Sequence, residues 1–132
     1  MAAEQFDDFD SFPNLVTMFL ARARFRGDAP FLWAKNGGDW HSISWAETAR
    51  QVAALAKSLR QMGLEPGDRV MLVSENRPEW CIADLGIMAA GCVTVPTYTT
   101  NTERDHQHIM TNSAARAVVV STAKLEIGRA HV

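Results

Sequence analysis

Three short apolar runs, separated by helix-like segments, limit the possible folds of this chain more than any other feature. The runs lie at 69–74, 92–96 and 117–121 and contain the stretches VMLV, CVTV and AVVV. They lack the regular polar alternation of a strand with one solvated face, so we expect strands that are covered on both faces. Strands that alternate with helices form parallel sheets with right-handed crossovers. The sequence from 69 onward therefore predicts a βαβαβ unit.

A helix and a β-hairpin are predicted before this unit. Pro13 and Asn14 offer a helix start, and apolar residues then recur at helical spacing until Gly27. The runs FLWAK at 31–35 and WHSIS at 40–44 are joined by Asn-Gly-Gly-Asp, which is a hairpin signal. The predicted fold class is thus α/β, with an N-terminal helix and a hairpin followed by a parallel sheet.

Three further helices are predicted after the hairpin. Ser44 and Glu47 have the spacing of a capping box for a helix at about 45–62, and a third helix is expected at 102–110, begun by Asn101 or Thr102. Between them, the segment 79–90 is apolar nearly all round, so it should be buried, with Gly86 allowing another backbone to approach. The core is expected to contain Trp45, Leu55, Leu59, Val70, Leu72, Leu85, Val93, Val95 and Val119.

Composition indicates one globular domain or part of one, because 47% of the 132 residues are hydrophobic and 21% are charged. The net charge of −2 and the scattered basic residues argue against a nucleic-acid partner. Cys81 and Cys92 form no CxxC motif, as expected for reduced thiols in the cytoplasm. The acidic leader at 1–13 is not a secretory signal, and no apolar stretch reaches the length of a transmembrane segment.

The first candidate site is the loop after the first parallel strand, in the stretch VSENRPEW at 73–80. The carboxyl ends of parallel strands are where open α/β sheets bind ligands. This loop contains no glycine, which excludes a GxGxxG dinucleotide site. We favour a structural role in which Asn76 is the N-cap and Pro78 lies in the first helical turn. The alternative is that Glu75, Asn76 or Arg77 contacts a ligand.

The second candidate site is the loop after the next strand, which is rich in hydroxyl groups. Helix capping and a polar sheet edge are favoured there over ligand contact. His106 and His108 are two residues apart on a helix and point to different faces, so they cannot share a metal. No catalytic residue and no metal ligand can be assigned from residue chemistry alone. The second loop consists of Pro96, Thr97, Tyr98, Thr99, Thr100, Asn101 and Thr102.

The stretch GDRVMLVSENRPEWCIADLGIMAAGCVTVPTYTTNT resembles the N-terminal part of AMP-forming acid–CoA ligases, most closely the bacterial long-chain fatty acid–CoA ligases. The resemblance extends from Phe12 to about Lys124. It implies an enzyme that activates a fatty acid with ATP and Mg²⁺ to an acyl-adenylate and then transfers the acyl group to coenzyme A. From the leader and the lack of a membrane-length apolar stretch we expect a cytoplasmic protein, and contact with the inner face of the membrane is left open.

The catalytic motifs of that family cannot be placed on this chain. Its lysines are Lys35, Lys57 and Lys124, and none follows a glycine-rich phosphate loop. The resemblance therefore implies that 14–125 is a partial AMP-binding domain of a longer enzyme, inactive alone and not expected to bind these cofactors well. The ending EIGRAHV breaks the pattern, so 126–132 is expected to be a non-native tail. The alternatives are another adenylate-forming ligase, for short-chain, aromatic or amino acids, or a non-catalytic α/β binding module.

Overall fold

A computed structural model describes residues 9–122 of the chain, and its architecture is α/β. Residues 1–8 of the predicted leader and all of the predicted tail lie outside the described residues. The elements, in chain order, are a 3₁₀ turn (Phe9–Ser11), α1 (Leu15–Arg26), β1 (Pro30–Asn36), β2 (Asp39–Ser44), α2 (Trp45–Gln61), β3 (Arg69–Val73), α3 (Pro78–Ala89), β4 (Val93–Thr97), α4 (Glu103–Ser113) and β5 (Ala117–Val120).

The strands form two separate sheets. β1 and β2 pair antiparallel as the predicted hairpin. β3 lies between β4 and β5 and is parallel to both, which confirms the predicted βαβαβ unit. Because β3 is central, the four residues Val70–Val73 are completely buried.

Side-chain caps fix the starts of α1 and α2. The Asn14 carboxamide oxygen accepts a hydrogen bond from the backbone N–H of Thr17 at 2.8 Å, and the Ser44 hydroxyl accepts one from Glu47 N–H at 3.0 Å. These bonds satisfy N–H groups that have no partner inside the helix. The Glu47 carboxylate accepts hydrogen bonds from Arg50 and Gln51, which lower its pKa to about 2.

Most of the buried apolar residues form two clusters. One joins α2 and α3 to β3, with Leu59, Leu72 and Ile87 among its members. The other joins α1, α2 and α3, includes Phe19 and Val52, and packs against the hairpin. None of the helices within residues 9–122 is long and apolar enough to cross a bilayer.

Four of the nine predicted core residues are buried, namely Leu59, Val70, Leu72 and Leu85. Another four are half-buried: Trp45, Leu55, Val95 and Val119. The prediction for Val93 is wrong, because its side chain is 49% exposed at the start of an outer strand of the described sheet. Burial on both faces thus holds for the central strand but not along the whole of β4.

Gly86 does permit a close approach, but by a side chain rather than the predicted backbone. A Cβ added at Gly86 would lie 2.6 Å from Leu55 Cδ2 and 2.9 Å from Leu55 Cγ. Carbon atoms normally keep about 3.5–4.0 Å apart. The missing Cβ therefore lets α3 pack directly against Leu55 of α2.

Candidate functional site

The two loops singled out from the sequence meet at the carboxyl edge of the parallel sheet. They enclose a cleft of about 430 Å³ between the ends of β3 and β4. This edge is where open α/β sheets place their ligands. The cleft is lined by Ser74, Glu75, Asn76, Trp80, Pro96, Thr97, Tyr98, Thr99 and Thr100.

The first loop ends one residue later than predicted. α3 begins at Pro78, and its N-cap is Arg77, which has extended backbone angles and makes no side-chain capping bond. The prediction that Asn76 is the N-cap is wrong. Pro78 explains the boundary, because a proline disfavours helical angles in the residue before it. Arg77 is therefore held outside the helix.

Arg77 instead donates a hydrogen bond to a charged group of α3. Its Nε lies 2.9 Å from Glu79 Oε2. Hydrogen bonding to its own backbone N–H, followed by the contact with Arg77, lowers the pKa of Glu79. A carboxylate in the first turn of a helix also interacts favourably with the helix dipole. The polar stretch thus connects β3 to α3, but the N-cap residue is Arg77 and not the expected Asn76.

Glu75 connects the ends of two strands. Its Oε1 accepts a hydrogen bond from the Ser121 hydroxyl at 3.0 Å, and its Oε2 lies 3.8 Å from Arg77 NH1. The Ser121 hydroxyl is the main cause of the lowered pKa of Glu75, with its own backbone N–H and Arg77 contributing less. Glu75 is therefore ionised at neutral pH and is engaged by the end of β5.

The second loop is held by its own side chains. Asn101 Nδ2 donates to Thr97 Oγ1 at 2.9 Å, across the turn that leaves β4. Thr102 and Asp105 form a complete capping box at the start of α4. The backbone N–H and the hydroxyl of Thr102 lower the pKa of Asp105. Of the two predicted starts of this helix, Thr102 is the N-cap.

His106 is hydrogen-bonded to the backbone of this loop, a role that we did not predict from the sequence. Its side chain is only 3% exposed, and Nε2 donates to the Tyr98 carbonyl oxygen at 2.9 Å. His108 is exposed, so the two histidines do face different sides. The spacing of His106, Ile109 and Met110 matches one helical face and could have placed His106 inside.

The cleft offers hydrogen-bonding groups and aromatic rings rather than a nucleophile paired with a base. Tyr98 is 79% exposed at its rim, and the Trp80 indole packs partly against the core. Within residues 9–122, no three His, Cys, Asp or Glu side chains come together to hold a metal ion. Hydroxyl, amide and aromatic groups can position a polar ligand, but they do not constitute a catalytic set.

A larger cavity of about 800 Å³ lies between the hairpin and the start of α3. Trp33, Lys35 and Arg77 are among the residues that line it. We place the candidate site at the sheet edge because two strand-end loops converge there, whereas the larger cavity lies beside the antiparallel hairpin.

Comparison with known proteins identifies the family. Residues 19–131 match the family model described as AMP-binding enzyme. The chain belongs to this family. The long-chain-fatty-acid–CoA ligase FadD15 of Mycobacterium tuberculosis is 39% identical over 109 residues, which are 83% of this chain and 18% of that protein. The human mitochondrial acyl-coenzyme A synthetase ACSM5 is 35% identical over 104 residues, covering 77% of this chain and 18% of the relative.

Solved structures of AMP-binding enzymes share the fold. The N-terminal subdomain of Klebsiella oxytoca NpsA, in complex with 3-hydroxyanthranilyl-AMSN, matches with a TM-score of 0.75 and 26% identity, over 83% of this chain and 27% of that one. The fatty acid AMP ligase of Legionella pneumophila matches with a TM-score of 0.73 and 27% identity, over 80% of this chain and 19% of that one. The chain thus spans less than a third of the length of each of these structures.

The described residues do not fit a complete nucleotide and magnesium site. Lys35 lies on β1 and Lys57 on α2, and neither lines the sheet-edge cleft. Phosphate sites need backbone N–H groups of a glycine-rich loop or positioned cations, and Mg²⁺ needs carboxylate oxygens. No step of a reaction is therefore assigned to residues 9–122.

Proposed function

We propose that this chain is the opening part of an enzyme that activates a long-chain fatty acid with ATP and Mg²⁺ to acyl-AMP and then transfers it to coenzyme A. The observation that carries the proposal is the 39% identity to a long-chain-fatty-acid–CoA ligase over 83% of the chain. A second relative with this activity in its name, ACSBG2 of Xenopus laevis, is 35% identical over 98 residues. We expect the parent enzyme in the cytoplasm, and contact with the inner face of the membrane is left open.

We further propose that these 132 residues are inactive alone. The chain spans 18% of FadD15 and 13% of ACSBG2. Phosphate chemistry depends on cations and backbone donors aimed at the developing charge. The sheet-edge cleft has hydroxyls and the paired carboxylate Glu75 but no lysine or arginine among its lining residues. Fatty acid, ATP and coenzyme A are accordingly assigned to the parent enzyme and not to this chain.

Another adenylate-forming ligase is the second candidate function. ACSM5 is as similar as ACSBG2, at 35% identity, and NpsA was solved in complex with 3-hydroxyanthranilyl-AMSN and 3-hydroxybenzoyl-AMSN. Acid specificity depends on the residues that surround the acyl group, and a shared N-terminal fold does not determine them. The long-chain assignment therefore rests on sequence identity and not on a pocket within residues 9–122.

The test is to recover the complete reading frame from genomic DNA and assay the purified full-length protein by ATP–pyrophosphate exchange. The acid panel includes long-chain and short-chain fatty acids, benzoate and amino acids. We expect exchange and acyl-CoA formation to be fastest with the long-chain acids. Preference for another acid class would replace the proposed substrate. No exchange with any acid, from a folded protein, would instead favour a non-catalytic binding module.

A further inference from the structure

We draw no further inference here: the strongest candidate, the cavity of about 800 Å³ between the hairpin and the start of α3, carries none, because nothing in the structure shows what fills or covers it in a chain that spans 18% of FadD15.

Discussion

Replacement of Gly86 by alanine should destabilise the protein, although alanine is the better helix former. In an open helix, glycine to alanine gains about 1 kcal/mol. At this position the new Cβ would lie 2.6 Å from Leu55 Cδ2 and 3.1 Å from Leu55 Cβ. Overpacking of this kind costs about 1–3 kcal/mol. Because Leu55 Cγ would also lie 2.9 Å away, movement of the terminal methyl group alone cannot relieve the clash, and we expect a net loss of about 1 kcal/mol.

A double-mutant cycle isolates this contact. Leu55→Ala removes Cγ and Cδ2, the two atoms that would lie within 3.0 Å of the new Cβ, so Gly86→Ala made in that background should stabilise the protein by about 1 kcal/mol. The effect of one substitution thus changes sign with its neighbour, and the coupling energy should be about 2 kcal/mol. Ala54→Gly, at an exposed position of α2, measures the helix-propensity effect alone and should cost about 1 kcal/mol.

Urea denaturation of the four proteins of the cycle, with equal m-values, provides the free energies. If Gly86→Ala stabilised the protein by about 1 kcal/mol with Leu55 intact, the close packing of α2 on α3 would be refuted. Coupling below about 0.5 kcal/mol would lead to the same conclusion.

The remaining predictions concern caps, the second loop and pH. His106→Ala should cost about 1–3 kcal/mol in urea melts, because the Tyr98 carbonyl loses its buried donor, whereas the exposed His108→Ala should stay within about 0.5 kcal/mol. Asn14→Ala should lower the free energy of unfolding by about 1 kcal/mol and Asn76→Ala by less than about 0.5 kcal/mol, because Asn14 caps a helix and Asn76 does not. Equal losses would contradict the observed boundary of α3. The melting temperature should be highest above the unfolded-state carboxyl pKa of about 4 and should fall between about pH 4.5 and pH 2, since carboxyls whose pKa is lowered on folding stabilise only while ionised. A flat profile in that range would show that the contacts of these carboxylates contribute little to the free energy of unfolding. The carboxylates are those of Glu47, Asp68, Glu75, Glu79 and Asp105.

The architecture could be predicted from the sequence because its signals are local. The uninterrupted apolar run at Val70–Val73 indicates a central strand, and Gly27 and Thr102 mark where helices end and begin. The prediction for Asn76 was wrong because asparagine is a good capping residue by type, whereas the backbone restriction that Pro78 imposes on Arg77 decides where α3 begins.

Long-range contacts could not be predicted in the same way. The hydrogen bond from His106 to Tyr98 depends on how the loop folds over α4, and the bond from Ser121 to Glu75 joins residues 46 apart in the chain. Val93 was expected in the core because its residue type and run are apolar, but its exposure depends on β4 being an outer strand of the described sheet. Neither sheet order nor loop closure is encoded in a single short window of sequence.

We propose that this chain supplies part of the scaffold of an acyl-adenylate-forming enzyme and not its chemistry. The most direct measurement compares ATP–pyrophosphate exchange, in the presence of long-chain fatty acids, by the 132-residue chain and by the protein extended to the end of its natural reading frame. We predict exchange by the extended protein and none above background by the 132-residue chain, with circular dichroism showing that the short chain is folded. Fatty-acid-dependent exchange by the 132-residue chain itself would contradict the account.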